Sequence, residues 1–422
     1  MMKSNLSINV LSVALPVALS AALPVALLVV EEARGEESMA LDQFLSEVHS
    51  QNLSIKVEEA AAKAATEGAS EVAIPPPMVG VTQLKDQSGQ ANGFELSQTI
   101  PFPTKLSSDH AARILAAEAK TAMRNVKERE VLANAKLLYF KLWKAQERTM
   151  LLREKKGAIA LHLKLAQAAT RSDSFLKIHL IKAEGEQDLL ENEITQSEQE
   201  RRERQIAMAE ILDRNAKNFR PVAREVPLSP LPRPGGLEAI SQIKVQKFQL
   251  EAAKARESEA RSSWFPDLNL RYREMGGTPM NPKFSEVMIG VSLPFLLFWE
   301  PKAASRQAAA ERMQFEFLLA QEERQIETKR ESLLSKAESL KVQIEQFHEK
   351  LLPRAEKRMR LIHNMAPRDM ETLQDHREAM EAFPDLKLKA LELREQYEEV
   401  IAELAQVAAL GGSAEKSGGD PK

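Results

Sequence analysis

Between residues 105 and 220 the chain contains no proline, and glycine occurs there only at 157 and 185. Proline is the strongest interruption of a helix interior. The stretch is built from Ala, Glu, Lys, Leu, Arg and Gln, the composition of long helices and coiled coils. Sixty-six positions separate Lys105 from Arg171, and 66 separate Lys302 from Arg368. At 1.5 Å per residue, either span reaches about 100 Å as a helix. A helix of that length is held by packing along its side against other helices. The second span belongs to a helical block, 302–410, with prolines at 353, 367 and 384 and no glycine before Gly411. Breaks at 167–174 and 364–370 return the chain on itself, so each half is expected to carry a helical hairpin about 100 Å long. Two shorter helical blocks are expected at 39–73 and 237–262.

Between these blocks lie "PPPMVGVTQLKDQSGQANGFELSQTIPFP" and "WFPDLNLRYREMGGTPMNPKFSEVMIGVSLPF". Each holds two alternating runs around a polar, glycine-containing turn, the pattern of a β-hairpin. One face collects Phe94, Leu96 and Ile100, then Leu268, Leu270 and Tyr272, then Val287, Ile289, Val291 and Leu293. The other carries Glu95, Ser97, Thr99, Asn269, Arg271, Arg273, Gly290 and Ser292. Apolar-out, polar-in runs of about ten residues suit a transmembrane barrel; the alternative is a small sandwich with one buried face. Trp264, Phe265, Phe298 and Trp299 fall where strand meets helix, the position of an aromatic interface girdle. Four strands are too few to close a barrel, so closure would need several chains.

The two halves repeat. "AAKA" at 61–64 recurs at 252–255, Pro77 matches Pro266, and Ile100-Pro101-Phe102 matches Leu293-Pro294-Phe295. Lys105 matches Lys302, and "TRSDSFL" at 170–176 matches "PRDMETL" at 367–373. The expected fold class is therefore mainly α with a small β part. Residues 36–220 form the first repeat, the proline-rich stretch 221–236 an equatorial linker, 237–410 the second repeat, and 411–422 a disordered tail.

The bulk chemistry excludes several classes. Lys plus Arg is 58 against 61 for Asp plus Glu, without the basic excess of a nucleic-acid binder. Cysteine is absent, which removes disulfides, thiol catalysis and zinc–thiolate sites. Lys3, an apolar run to Val30 broken by Pro16 and Pro24, and Ala33-x-Gly35 read as a secretory signal over residues 1–35. A membrane anchor is the alternative. The seven histidines are scattered, and neither a catalytic constellation nor a phosphate-binding glycine loop is visible. No enzyme activity, cofactor or metal site is expected, Asp375 and His376 being the nearest approach to a ligand pair.

The internal repeat, the junction "GVSLPFLLFWEPK", the run "LLPRAEKRMRLIHN" and the final "ELAQVAALGG" together resemble the TolC-type outer-membrane efflux channels, including the metal-efflux branch. The resemblance covers nearly the whole chain after the signal. It implies a homotrimer in outer-membrane lipid, with twelve strands closing one β-barrel and twelve helices continuing it as a periplasmic α-barrel. It also implies docking onto a periplasmic adaptor (membrane fusion) protein and an inner-membrane pump. The function it implies is the exit duct of a tripartite efflux system, exporting small molecules or metal ions. A periplasmic coiled-coil adaptor or a scaffold without a channel is the competing class. The family usually has a glycine in each tip turn; here Ala168 and Met365 stand near those positions. In a three-fold assembly Glu371 and Asp375, one helical turn apart, would form acidic rings at the tip. Arg368, Arg171 and Asp173 are the nearby charges that would complete such a periplasmic gate.

Overall fold

The computed structural model describes residues 37–71, 74–86, 89–169, 177–232, 235–297, 299–363 and 370–407. The body opens with a short strand β1 (Glu37–Met39), followed by α1 (Leu41–Gln51) and α2 (Leu53–Ala69). The sequence pattern suggested one helix over 39–73, but Asn52 divides it. Its Oδ1 accepts from the Ser54 and Ile55 amides at 3.0 and 3.3 Å, capping α2, and its Nδ2 donates to the Ile211 carbonyl at 3.1 Å. The hairpin β2 (Met78–Asp86) and β3 (Gly89–Ile100) leads into α3 (Pro103–Ala169), a single helix of 67 residues. Pro103 opens it, where a missing N–H costs nothing.

The helix α4 (Lys177–Ile211) runs back along α3. The strand β4 (Pro221–Ala223) then pairs in parallel with β1. After a 3-10 turn come α5 (Ser241–Ser262), the hairpin β5 (Leu268–Met275) and β6 (Phe284–Val291), and α6 (Trp299–Gln346). The second long helix is not uniform. A π-helical turn, Phe347–Leu351, separates α6 from α7 (Leu352–His363). Pro353 explains its position: proline has no N–H to donate to the carbonyl four residues back, and a π turn shifts the bonding there. The last helix is α8 (Met370–Val407), which tolerates Pro384 in its interior.

The helices lie abreast. Towards the strands the neighbours run α2, α3, α5, α6; away from them α4, α3, α8 and the α6–α7 helix. Two apolar clusters hold the middle. One joins α1, α3 and α4 through Phe44, Tyr139, Leu142, Trp143, Met208 and Leu212. The other joins α5, α6 and α8 through Ile243, Ile326, Leu340, Tyr397, Ile401 and Leu404.

The extended stretch around β4 is strapped onto both clusters. The buried Tyr139 hydroxyl donates to Met39 O at 2.8 Å and accepts from Arg224 N at 2.8 Å. The Tyr397 hydroxyl donates to Ser229 O at 2.8 Å, and Glu398, 2% exposed, accepts from Ser229 N at 2.9 Å. Burial raises both phenols above their ordinary value, so both remain protonated donors. Arg394 stacks over the Trp143 ring at 4.2 Å and donates to the Val226 carbonyl.

Candidate functional site: the sheet faces and the helical tips

The two hairpins form one antiparallel sheet in the order β2-β3-β5-β6. Its register puts Ile100 beside Leu268 and Leu268 beside Val291. One step along, Leu270 meets Ile289; a further step brings Leu96 beside Tyr272 and Tyr272 beside Val287. The residues expected on one face therefore share it, joined by Val79 and Val81 from β2. This face is uncovered: Val81 is 87% and Ile289 68% exposed. Leu293 is exposed too, but it lies two residues past the end of β6.

The opposite face is polar and paired. Glu95 accepts from Arg271 Nε at 3.0 Å and from Arg273 Nη2 at 2.9 Å, and Arg273 reaches Glu286 at 3.9 Å. Thr99 Oγ1 donates to Asn269 Oδ1 at 2.7 Å. This charge ladder depends on strand register across residues about 180 positions apart, which alternation alone does not specify. Gly93 is required by the close approach of β3 to β5. A Cβ there would lie 2.2 Å from Glu274 O.

The strand-to-helix junctions carry the aromatic residues. Phe265 stacks on Phe102 with centroids 4.7 Å apart, Trp264 is partly exposed, and Trp299 is exposed in the first turn of α6. Phe298 lies outside the described residues. A clasp missed by sequence reasoning fixes the junction. Asp267 accepts from the Phe102 amide at 3.0 Å and from Lys105 Nζ at 2.8 Å. Ser292, expected to point freely from the polar face, instead accepts from the Asp267 amide at 2.7 Å. It is part of this clasp.

At the far ends, Glu371 and Asp375 both fall in the first turns of α8, and Asp375 is exposed. Arg171, Asp173 and Arg368 lie outside the described residues. Two helical hairpins meet here: Arg377 Nη1 is 2.8 Å from Glu186 Oε1, and Lys155 Nζ is 2.8 Å from Asp385 Oδ1. Burial raises the Glu381 carboxyl on the same stretch above its ordinary value; Arg377 opposes the shift without cancelling it, and Glu186 adds to it. Among the described residues no cluster of three or more potential ligands could hold a metal ion, and no helix is long and apolar enough to cross a membrane.

No protein-family model and no curated protein matches the chain. Solved structures do. The transmembrane channel CusC superimposes with a TM-score of 0.74 at 15% identity, over 88% of this chain and 92% of that one. The outer membrane channel CmeC of Campylobacter jejuni gives 0.72 at 15% identity, over 89% and 86%. The open state of the outer membrane channel MtrE of Neisseria gonorrhoeae gives 0.67 at 15% identity, over 88% and 89%.

Proposed function

The chain has the fold of the TolC-type outer-membrane channels, and we propose that it is the exit duct of a tripartite efflux system. The sheet carries this reading. One of its faces is mostly apolar and open to solvent, interrupted by Gln98 beside Leu270 and bounded by Glu274 beside Phe94; its other face is a paired polar ladder, and β2 and β6 present unpaired edges. Exposed edges invite pairing with another chain. Three copies joined edge to edge would close a twelve-stranded barrel with the apolar face on lipid and the ladder on the lumen. The positions from Phe94 to Ile100 cover about 20 Å along β3, close to the apolar band of about 25 Å of outer-membrane barrels.

In this reading residues 1–35 direct export, the sheet sits in the outer membrane and the helices form a periplasmic tunnel. The tips, with Glu371, Asp375, Arg368, Arg171 and Asp173, form the gate that faces an adaptor and an inner-membrane pump. The cargo is small molecules or metal ions entering from the periplasm. Fractionation of expressing cells tests it: heat-modifiable trimers in the outer membrane are expected, and a soluble periplasmic monomer would favour an adaptor or scaffold.

A further inference from the structure

Around the end of α4 and the loop that follows lies a cavity of about 420 Å³, open to solvent and removed from the sheet and the tips. Its rim carries Arg201, which has an interaction partner of its own, and three further cations, Arg202, Lys217 and Arg220; Ile206, Ala216 and Phe219 supply an apolar lining. Among the described residues, no carboxylate lies within ion-pair distance of these three cations. Their neighbour Arg214 behaves differently: it pairs with Glu47 and Glu37 and stacks on Phe219 at 4.8 Å.

The lining is fixed in place. Phe219 is buried, Gln205 donates its side-chain amide to the Pro221 carbonyl at 3.0 Å, and the Arg220 carbonyl accepts from Glu37 N at 3.2 Å. Asp213 turns the chain with φ of 54°, and Arg214 N bonds back to Ala209 O at 2.8 Å. Three like charges around one preformed concavity repel until an anion joins them.

The geometry points to a docking pocket for an acidic segment of a partner protein, carrying two or more carboxylates around an apolar side chain. Arginine guanidinium groups take carboxylates in paired hydrogen bonds. The exposed Ile206 beside buried Phe219 offers the apolar contact that a bare anion would leave unused. The volume suits several side chains rather than one phosphate group. Lipid headgroups are out of reach in the duct reading, on which the inference rests only for this exclusion. The cavity lies level with Gln146 of α3, whose side chain accepts from Ala223 N. From Pro103 that is roughly 65 Å along the helix.

The test uses the purified full chain in detergent and the dye-labelled peptide EELFEE, read by fluorescence anisotropy. KKLFKK, inorganic phosphate and phosphatidylglycerol vesicles serve as comparison probes. EELFEE is expected to bind saturably and KKLFKK not to bind. The double change Lys217→Glu with Arg220→Glu should weaken binding by at least about tenfold, whereas Lys217→Arg with Arg220→Lys should retain it. Melting temperature and channel conductance should be unchanged in both variants, which separates this site from the duct itself. Absence of binding to the wild-type chain, or equal binding by the charge-reversed chain, overturns the proposal. Phosphate competing as well as peptide would make it a plain anion site. Saturable vesicle binding lost with the same cations would make it a lipid site.

Discussion

Val291 and Met288 differ by which face of β6 they occupy, and the account assigns them opposite surroundings. Val291 lies in the exposed apolar face with Leu268 and Ile289; Met288 pairs beside Arg271 on the polar face. Val291 ends β6 at the junction, where an arginine should cost only about 0–1 kcal/mol; Val287→Arg, on the same face in mid-strand, should cost about 2–4 kcal/mol, and Met288→Arg much less. Trimer yield in the outer membrane reads the difference, and equal tolerance at Val287 and Met288 would remove the barrel assignment. Ser292 cannot serve as the control, since its hydroxyl receives the Asp267 amide. Asp267 itself predicts a stability effect. Asp267→Ala leaves Phe102 N and Lys105 without their acceptor and should cost about 1–3 kcal/mol. Asp267→Asn, which can keep the bond to Phe102 N, should cost less; thermal dissociation of the assembled protein measures both. The apolar residues of this face were legible because a strand's period of two shows in any single sequence. The partners of Asp267 and Glu95 were not, because they come from another part of the chain and follow from register.

The elements divide in the same way. The long helix α3 was legible from the absence of proline over more than a hundred residues, and the repeat predicted a second one. The π turn before Pro353 and the break at Asn52 each come from one residue: proline lacks the N–H the helix would use, and the Asn52 side chain takes backbone bonds of the next turn. The strands β1 and β4, three residues each, are too short for periodicity to report and exist because each pairs with the other. The strap over the middle depends on Tyr397 and Glu398 meeting Ser229 nearly 170 positions away. Tyr397→Phe removes the donor to Ser229 O and should cost about 1–3 kcal/mol as a buried acceptor loses its partner, measured by thermal melting. Towards the tips, Glu381 on α8 predicts a pH dependence. Its raised carboxyl pKa means the folded state holds a proton that the unfolded chain has already released. In the window just above the ordinary value of 4.5, falling pH therefore adds stability to the hairpins, and rising pH removes it. Amide exchange over 374–390, corrected for intrinsic rates, should be slower just above pH 4.5 than at neutral pH. Glu381→Gln should flatten that difference, and an unchanged pH dependence in the variant would assign it to other groups.

For the whole molecule, the helix lengths and the sheet describe one device. A helix about 100 Å long sets the end of α3 at Ala169 far from the strands, so a barrel in the membrane would leave that end at the level of a partner. Glu371 and Asp375 at the start of α8 would ring the axis of a trimer. Replacing both with Ala should reduce cation selectivity without altering assembly, because the sheet and the central clusters are untouched. Recording from the purified protein in a planar lipid bilayer tests the duct most directly. The account predicts discrete single-channel steps from a trimeric species, cation-selective in the wild type and less so in the Glu371→Ala, Asp375→Ala variant. A folded, purified protein that remains monomeric and carries no current across the bilayer would contradict it.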